Sequence, residues 1–87
     1  MKRIIINSQN LTREYYPYDD KTGILKSNDG KTSIEESFNQ DKIIDLISCL
    51  FDERVSERVR TSLKENSYYQ HVRNEKNEEL KVTVYVT

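Results

Sequence analysis

The 87-residue sequence predicts an α+β fold, in which an antiparallel sheet of about four or five strands carries two helices on one face. Three observations predict it: three consecutive isoleucines near the N-terminus, helical periodicity in the middle of the chain, and two-residue alternation at the C-terminus. The predicted order is β-β-β-α-α-β-β. We expect a single domain over residues 1–87, because this length is near the lower limit for independent folding.

The N-terminal segment predicts one strand followed by irregular chain. Residues 2–7 contain Ile4, Ile5 and Ile6, which are β-branched and apolar on both faces. Such a strand is covered on both sides or has a second face that meets a partner. Residues 8–22 have no clean period, and we expect a loop or a short irregular edge strand there.

Residues 24–37 predict a β-hairpin. Asp29 and Gly30 lie at its centre, and this residue pair tolerates the positive φ values of a two-residue type I′ turn. Such a turn would place Leu25 opposite Ile34, which is an apolar cross-strand pair.

A helix is predicted to begin between residues 38 and 41. Either Ser37, in a capping box with Gln40, or Asn39 would serve as its N-cap. The apolar positions that follow fall within an arc of about 120° on an ideal helix. They are Ile43, Ile44, Ile47, Leu50 and Phe51.

The next apolar positions, Val55, Val59 and Leu63, would be centred roughly 110° away from the first stripe on a continuous helix. One straight helix could not direct both stripes at the same sheet. We therefore expect a break at residues 52–54 and a second helix over residues 55–65. The alternative is one long helix whose second half packs elsewhere.

The C-terminal residues predict a second hairpin. Leu80, Val82, Val84 and Val86 alternate with more polar residues, which is the period of a strand with one buried face. Residues 68–73 are its expected antiparallel partner, joined to it by the polar loop 74–79.

No residue pattern indicates catalysis or a cofactor. Gly30, Lys31 and Thr32 resemble the end of a phosphate-binding loop, but Leu25 occupies the position of its first glycine. An apolar content of 34% supplies one core and no walls for a deep substrate cavity. We expect no enzyme activity.

Cysteine and histidine chemistry is limited to one residue of each type. Cys49 is expected to be a small buried hydrophobe beside the helix stripe, and His71 to lie on the outward face of its strand with Tyr69 and Arg73. A single cysteine excludes an internal disulfide and a cysteine-based zinc site. The adjacent acidic pairs are interpreted as solvated charge, so no metal site is predicted. These pairs are Asp19–Asp20, Glu35–Glu36 and Glu78–Glu79.

Charge and hydropathy argue for a cytoplasmic protein without membrane contact. Fourteen basic residues nearly balance fifteen acidic ones, and the mean hydropathy is -0.87. No apolar run approaches the ~20 residues of a membrane span, and no signal peptide is recognisable. The abundance of Lys, Asn, Ile and Tyr, with no alanine, points to AT-rich coding DNA, as in a low-GC bacterium or its phage.

Two groups of residues are candidates for binding a partner. The first is aromatic and acidic, and it either forms a protein-binding patch or closes the end of the core. The second is basic and lies on the second helix, interleaved with Glu53 and Glu57. It forms either a salt-bridged solvent face or a basic ridge that binds phosphates or an acidic partner. The candidates are Tyr15, Tyr16, Tyr18, Asp19 and Asp20 in the first group, and Arg54, Arg58, Arg60 and Lys64 in the second.

These features favour a small protein-binding inhibitor or regulator that blocks a larger target. Its size and composition are those of phage or mobile-element anti-defence proteins, anti-CRISPR-like inhibitors included, although no motif identifies such a family. The alternatives are a nucleic-acid-binding regulator that uses the basic helix and an immunity or antitoxin protein. A homodimer formed through the strand at residues 4–6 or at residues 80–86 is also open.

Overall fold

A computed structural model describes all 87 residues as one six-stranded antiparallel sheet with two helices on one face. The predicted α+β class and the positions of its elements are confirmed, with one strand more than the upper expectation. In chain order the elements are β1 (Lys2–Ser8), β2 (Leu11–Pro17), β3 (Thr22–Asn28), β4 (Ser33–Asn39), α1 (Gln40–Leu50), α2 (Glu53–Glu65), β5 (Tyr69–Val72) and β6 (Lys81–Val86). The strand order across the sheet is β4-β3-β2-β1-β6-β5.

One hydrophobic core lies between the helices and the middle of the sheet. Alternate residues of the strands direct their side chains towards the helices, as the two-residue period requires. The side chains with the least exposure come from both layers. Burial of apolar surface between the helices and the sheet is therefore the main contribution to stability. They include Ile4, Ile6, Tyr15, Val82 and Val84 from the sheet and Ile43, Ile47 and Val59 from the helices.

The expectation of a loop or edge strand in residues 8–22 is wrong. Residues 11–17 form β2, which pairs with β1 on one side and with β3 on the other. Tyr15 is the only residue of β2 that is fully buried, so the strand carries no apolar alternation that the sequence could show. Main-chain hydrogen bonds to both neighbours hold it in the sheet without that alternation.

The β3–β4 hairpin is confirmed, but its register differs by two residues from the predicted one. Ser27 pairs with Ile34, and Leu25 pairs with Glu36. The carboxylate of Asp29 accepts hydrogen bonds from the N–H groups of Lys31 and Thr32 at 2.9 and 2.7 Å, which closes a four-residue loop in place of a two-residue turn. A shift of two residues leaves each side chain on its predicted face.

Two helices form where the two apolar stripes predict them. Asn39 is the N-cap of α1, where its side chain accepts a hydrogen bond from the Asp41 N–H at 2.7 Å. The predicted break is confirmed: Asp52 caps α2 by accepting from the Val55 N–H at 2.9 Å, so α2 begins two residues earlier than expected. The break lets both apolar stripes face the same sheet. Neither helix is long and apolar enough to cross a membrane.

The C-terminal hairpin is also confirmed, with β6 between β1 and β5. Both β1 and β6 are therefore interior strands. The expectation that residues 4–6 or 80–86 could pair with a second copy is wrong, because β1 and β6 each lie between two hydrogen-bonded strands of the same chain. The free edges of the sheet belong to β4 and β5.

Gly23 fits beneath the Tyr15 ring. A Cβ at this position would lie 2.5 Å from the Tyr16 carbonyl oxygen and 2.7 Å from Cζ of Tyr15. Tyr15 is only 1% exposed, and its hydroxyl donates a hydrogen bond to the Phe38 carbonyl oxygen at 3.2 Å. The absence of a side chain at residue 23 thus allows a tyrosine to fill this end of the core.

Gly23→Ala should lower the free energy of unfolding by about 2 kcal/mol, because the added methyl group meets backbone and a packed ring. Urea unfolding followed by circular dichroism measures the change. Ser27→Ala, on the same strand, is the matched control and should change stability by less than about 0.5 kcal/mol. Equal effects of the two substitutions would contradict this packing.

Candidate partner-binding surface

The face of the sheet opposite the helices has no element packed on it, and we call it the open face. The strand registers place a common set of side chains there, each adjacent in sequence to a core residue. Several of these side chains are apolar or aromatic, and they are half-buried by their neighbours on the sheet, with no helix packed over them. The set includes Arg3, Ile5, Tyr16, Ile24, Lys26 and Tyr85, whereas Thr83 on the same face is only 1% exposed.

A row of large side chains runs across the open face. We call Ile24, Tyr16, Arg3, Tyr85 and Tyr68 the aromatic row, since they occupy neighbouring positions on successive strands, with Tyr68 just before β5. Cζ of Arg3 lies 4.8 Å from the centroid of the Tyr85 ring, and the Tyr68 and Tyr85 rings meet edge to face at 6.0 Å. At about 4.8 Å per strand, the row spans roughly 19 Å.

Four charged side chains of the open face are paired with each other, whereas Lys81 on the same face has no ion-pair partner. Arg3 lies 3.9 Å from the Glu14 carboxylate, and Lys26 lies 3.7 Å from that of Glu35. The Tyr16 hydroxyl donates to Glu14, and Lys26 also lies 5.0 Å from the centroid of the Tyr16 ring. Two basic and two acidic side chains therefore cancel around the aromatic row, and their contacts limit its rotamers.

The predicted partner-binding residues do not form one surface. Tyr16 lies on the open face, whereas Tyr15 is in the core, so burial removes Tyr15 from any partner surface. A third location is an open groove of about 810 Å³ between the β2–β3 turn and the C-terminal half of α2. It brings together five of the predicted residues: Tyr18, Asp19, Asp20, Arg60 and Lys64.

Asp19 organises the turn at one wall of this groove. Its carboxylate accepts hydrogen bonds from the N–H groups of Lys21 and Thr22 at 2.7 and 2.8 Å. These bonds favour the ionised form and lower the pKa of Asp19. Asp19 is therefore committed to the turn, while the neighbouring Tyr18 remains 73% exposed.

The three arginines of α2 are engaged within the chain, whereas Lys64 has no ion pair. Arg54 lies 3.5 Å from Asp52, and Arg60 lies 3.3 Å from Asp41. Cζ of Arg58 lies 5.2 Å from the centroid of the Tyr69 ring. Arg54 and Arg58 lie on a different flank of α2 from the groove, so the basic residues do not form one ridge.

Two expectations about reactive residues are wrong. Cys49 is exposed, because it lies about 200° around α1 from the buried Ile47. His71 faces the helices, where its ring meets Phe51 edge to face at 5.7 Å. Tyr69, two residues away on the same strand, also packs against the core. Nowhere do three His, Cys, Asp or Glu side chains come together as metal ligands.

Sequence reasoning missed most of the aromatic row. Arg3, Ile24, Tyr85 and Tyr68 were not among the predicted partner-binding residues. One signal was present: Ile5 and Tyr85 are large side chains at strand positions that alternate with core residues. The other residues of the row were missed because β2 was not predicted. Without β2, Tyr16 has no neighbours on β1 and β3.

No protein-family model matches the chain, and no match was found among curated proteins or solved structures.

The buried Tyr15 hydroxyl predicts a loss of stability at alkaline pH. Burial, with smaller effects from the charges of Asp19 and Asp41, raises its pKa to about 12. The neutral phenol thus stabilises the fold fully below the unfolded pKa of about 10, and this contribution is lost as the pH rises towards 12. Burial also raises the pKa of Tyr69, which contributes in the same direction.

Tyr15→Phe should therefore lose stability less steeply than the original chain between pH 10 and pH 12. At neutral pH it should be less stable by about 1 kcal/mol, because the hydrogen bond to Phe38 is removed. Urea unfolding across the pH series measures both effects. Tyr18→Phe, at an exposed position, is the control and should follow the original chain. Identical pH profiles for Tyr15→Phe and the original chain would contradict the assignment.

Proposed function

We propose that this chain is a non-enzymatic protein-binding module, an inhibitor or regulator, which covers part of a larger target with its open face. The observation that carries the proposal is the aromatic row, a line of tyrosine, arginine and isoleucine side chains on a sheet face that the chain leaves uncovered. A surface row of this kind contributes nothing to the core between the helices and the sheet.

The residue types of the row favour binding to protein. Tyrosine and arginine are enriched among the residues that contribute most to interface energy, because they bury large areas. Arg3, Tyr16 and Tyr85 already contact neighbours on the open face, so less conformational entropy is lost when a partner binds. The row is thus partly pre-organised for a target.

The size of the face also suits a protein target. The molecule measures 29 × 29 × 22 Å, so its broad side is on the scale of the ~800 Å² that each partner buries in a standard interface. Blocking a larger protein requires only such a contact and no turnover. We propose the cytoplasm as the place of action and a phage or mobile element as the source, on size and composition alone.

Binding to single-stranded nucleic acid is the second candidate, and the aromatic row is also the observation that favours it. Tyrosine rings and an arginine plane on a sheet can stack on bases. Phosphate binding, however, needs a strongly positive surface, and Glu14 and Glu35 cancel Arg3 and Lys26, which leaves Lys81 as the one unpaired cation of the open face. Protein is therefore the preferred partner. For both protein and nucleic acid, the proposed site is the open face and not the basic helix.

Substitution of the aromatic row should abolish binding to the target. The test compares the original chain with the double variant Tyr16→Ser/Tyr85→Ser as immobilised baits in bacterial lysate. The captured protein is then purified and titrated with both chains by calorimetry. We expect at least about a hundredfold weaker binding by the variant, since two central tyrosines each contribute about 2 kcal/mol.

Matched variants on the other surfaces are the controls. Tyr18→Ser in the groove and Arg54→Ala on α2 should bind as the original chain does. Loss of binding in these controls, with the open-face variant unaffected, would contradict the proposal. Capture of single-stranded nucleic acid with a steep salt dependence, and no protein, would favour the second candidate.

A further inference from the structure

We infer that a second copy of this chain pairs with the β5 edge of the sheet, which joins two molecules through a two-fold axis at Gln70. The two edges of the sheet differ in their protection. β4 carries Glu35 and Glu36, and charged residues on an edge strand oppose pairing with another chain. β5 has the sequence Tyr-Gln-His-Val, without an acidic or a permanently basic side chain.

The backbone of β5 has free hydrogen-bonding groups at alternate residues. The Arg73 N–H donates to the Leu80 carbonyl oxygen at 2.6 Å, in register with the β5–β6 ladder. Because antiparallel pairs alternate, Tyr69 and His71 bond to β6, while Gln70 and Val72 direct their N–H and C=O groups away from the sheet. Gln70 and Val72 are also exposed, so this edge is accessible.

A two-fold axis through Gln70 makes the edge self-complementary. It would place Gln70 beside Gln70 of the second copy, and Tyr68 beside Val72 of the second copy. Tyr68 and Val72 are 61% and 56% exposed, and they are two of the five large hydrophobic residues on the surface of the chain that are exposed. The pairing covers both of them at once. The same symmetry applied to β4 would oppose Glu35 to itself.

The helix above β5 supports the same symmetry. Arg58 lies over the Tyr69 ring, so this flank of α2 lies above the β5 edge. The flank carries Glu53, Arg54, Glu57 and Arg58 around one shallow depression. Two copies in antiparallel orientation could set acidic residues of one against basic residues of the other. A flank with one sign of charge would repel its copy instead.

The axis through Gln70 can be tested with charge variants of the full chain. Sedimentation equilibrium of the original chain should show a concentration-dependent mass that rises from 10.4 kDa towards the dimer. Gln70→Lys and Gln70→Glu should each raise the dissociation constant at least about tenfold, because like charges would lie about 5 Å apart across the axis. An equimolar mixture of the two variants should restore association, since it places opposite charges there.

Glu35→Lys, at the equivalent outward position of the β4 edge, is the control and should leave the dissociation constant within about twofold of the original. Circular dichroism melting establishes that each variant is folded before it is compared. A chain that remains monomeric at every concentration would overturn the inference. Association that is unaffected by Gln70→Lys, or folded variants whose mixture stays monomeric, would overturn it as well.

Discussion

Burial of one face of the sheet by α1 and α2 is the interaction on which the rest of this structure depends. On one continuous helix, the apolar stripes of α1 and α2 would face different directions. The break at Asp52 lets both stripes pack against the same isoleucine and valine side chains of the sheet. Both helices lie on this one face, so no helix packs on the second face of the sheet. The open face follows from this arrangement.

The open face then accounts for large side chains that do not belong to the core. Tyr16 and Tyr85 each neighbour a buried residue in sequence, Tyr15 and Val84, so the same strands supply a core residue on one side and a row residue on the other. The β5 edge extends this division, since Tyr68 belongs to the row and flanks the unprotected edge. The proposed target surface and the proposed self-association edge thus adjoin at Tyr68.

The sequence predicted the parts of the fold that bury a regular apolar pattern. The α1 stripe, the break before α2 and the alternation from Leu80 to Val86 each reflect one-sided burial, and each was located to within two residues. β2 was missed because a single buried residue, Tyr15, leaves no period. The hairpin register was missed because it depends on the Asp29 side chain bonding to the loop backbone. Most of the aromatic row was missed because it exists only across strands that are distant in sequence.

We propose that this chain meets its target through the open face of the sheet. Hydroxyl-radical footprinting of the free chain and of its complex, read by mass spectrometry, identifies the side chains that the target covers. We predict that oxidation of Tyr16, Ile24 and Tyr85 falls sharply in the complex, while Tyr18 stays as reactive as in the free chain. Protection confined to Tyr18, Arg60 and Lys64, with the row unchanged, would contradict the account.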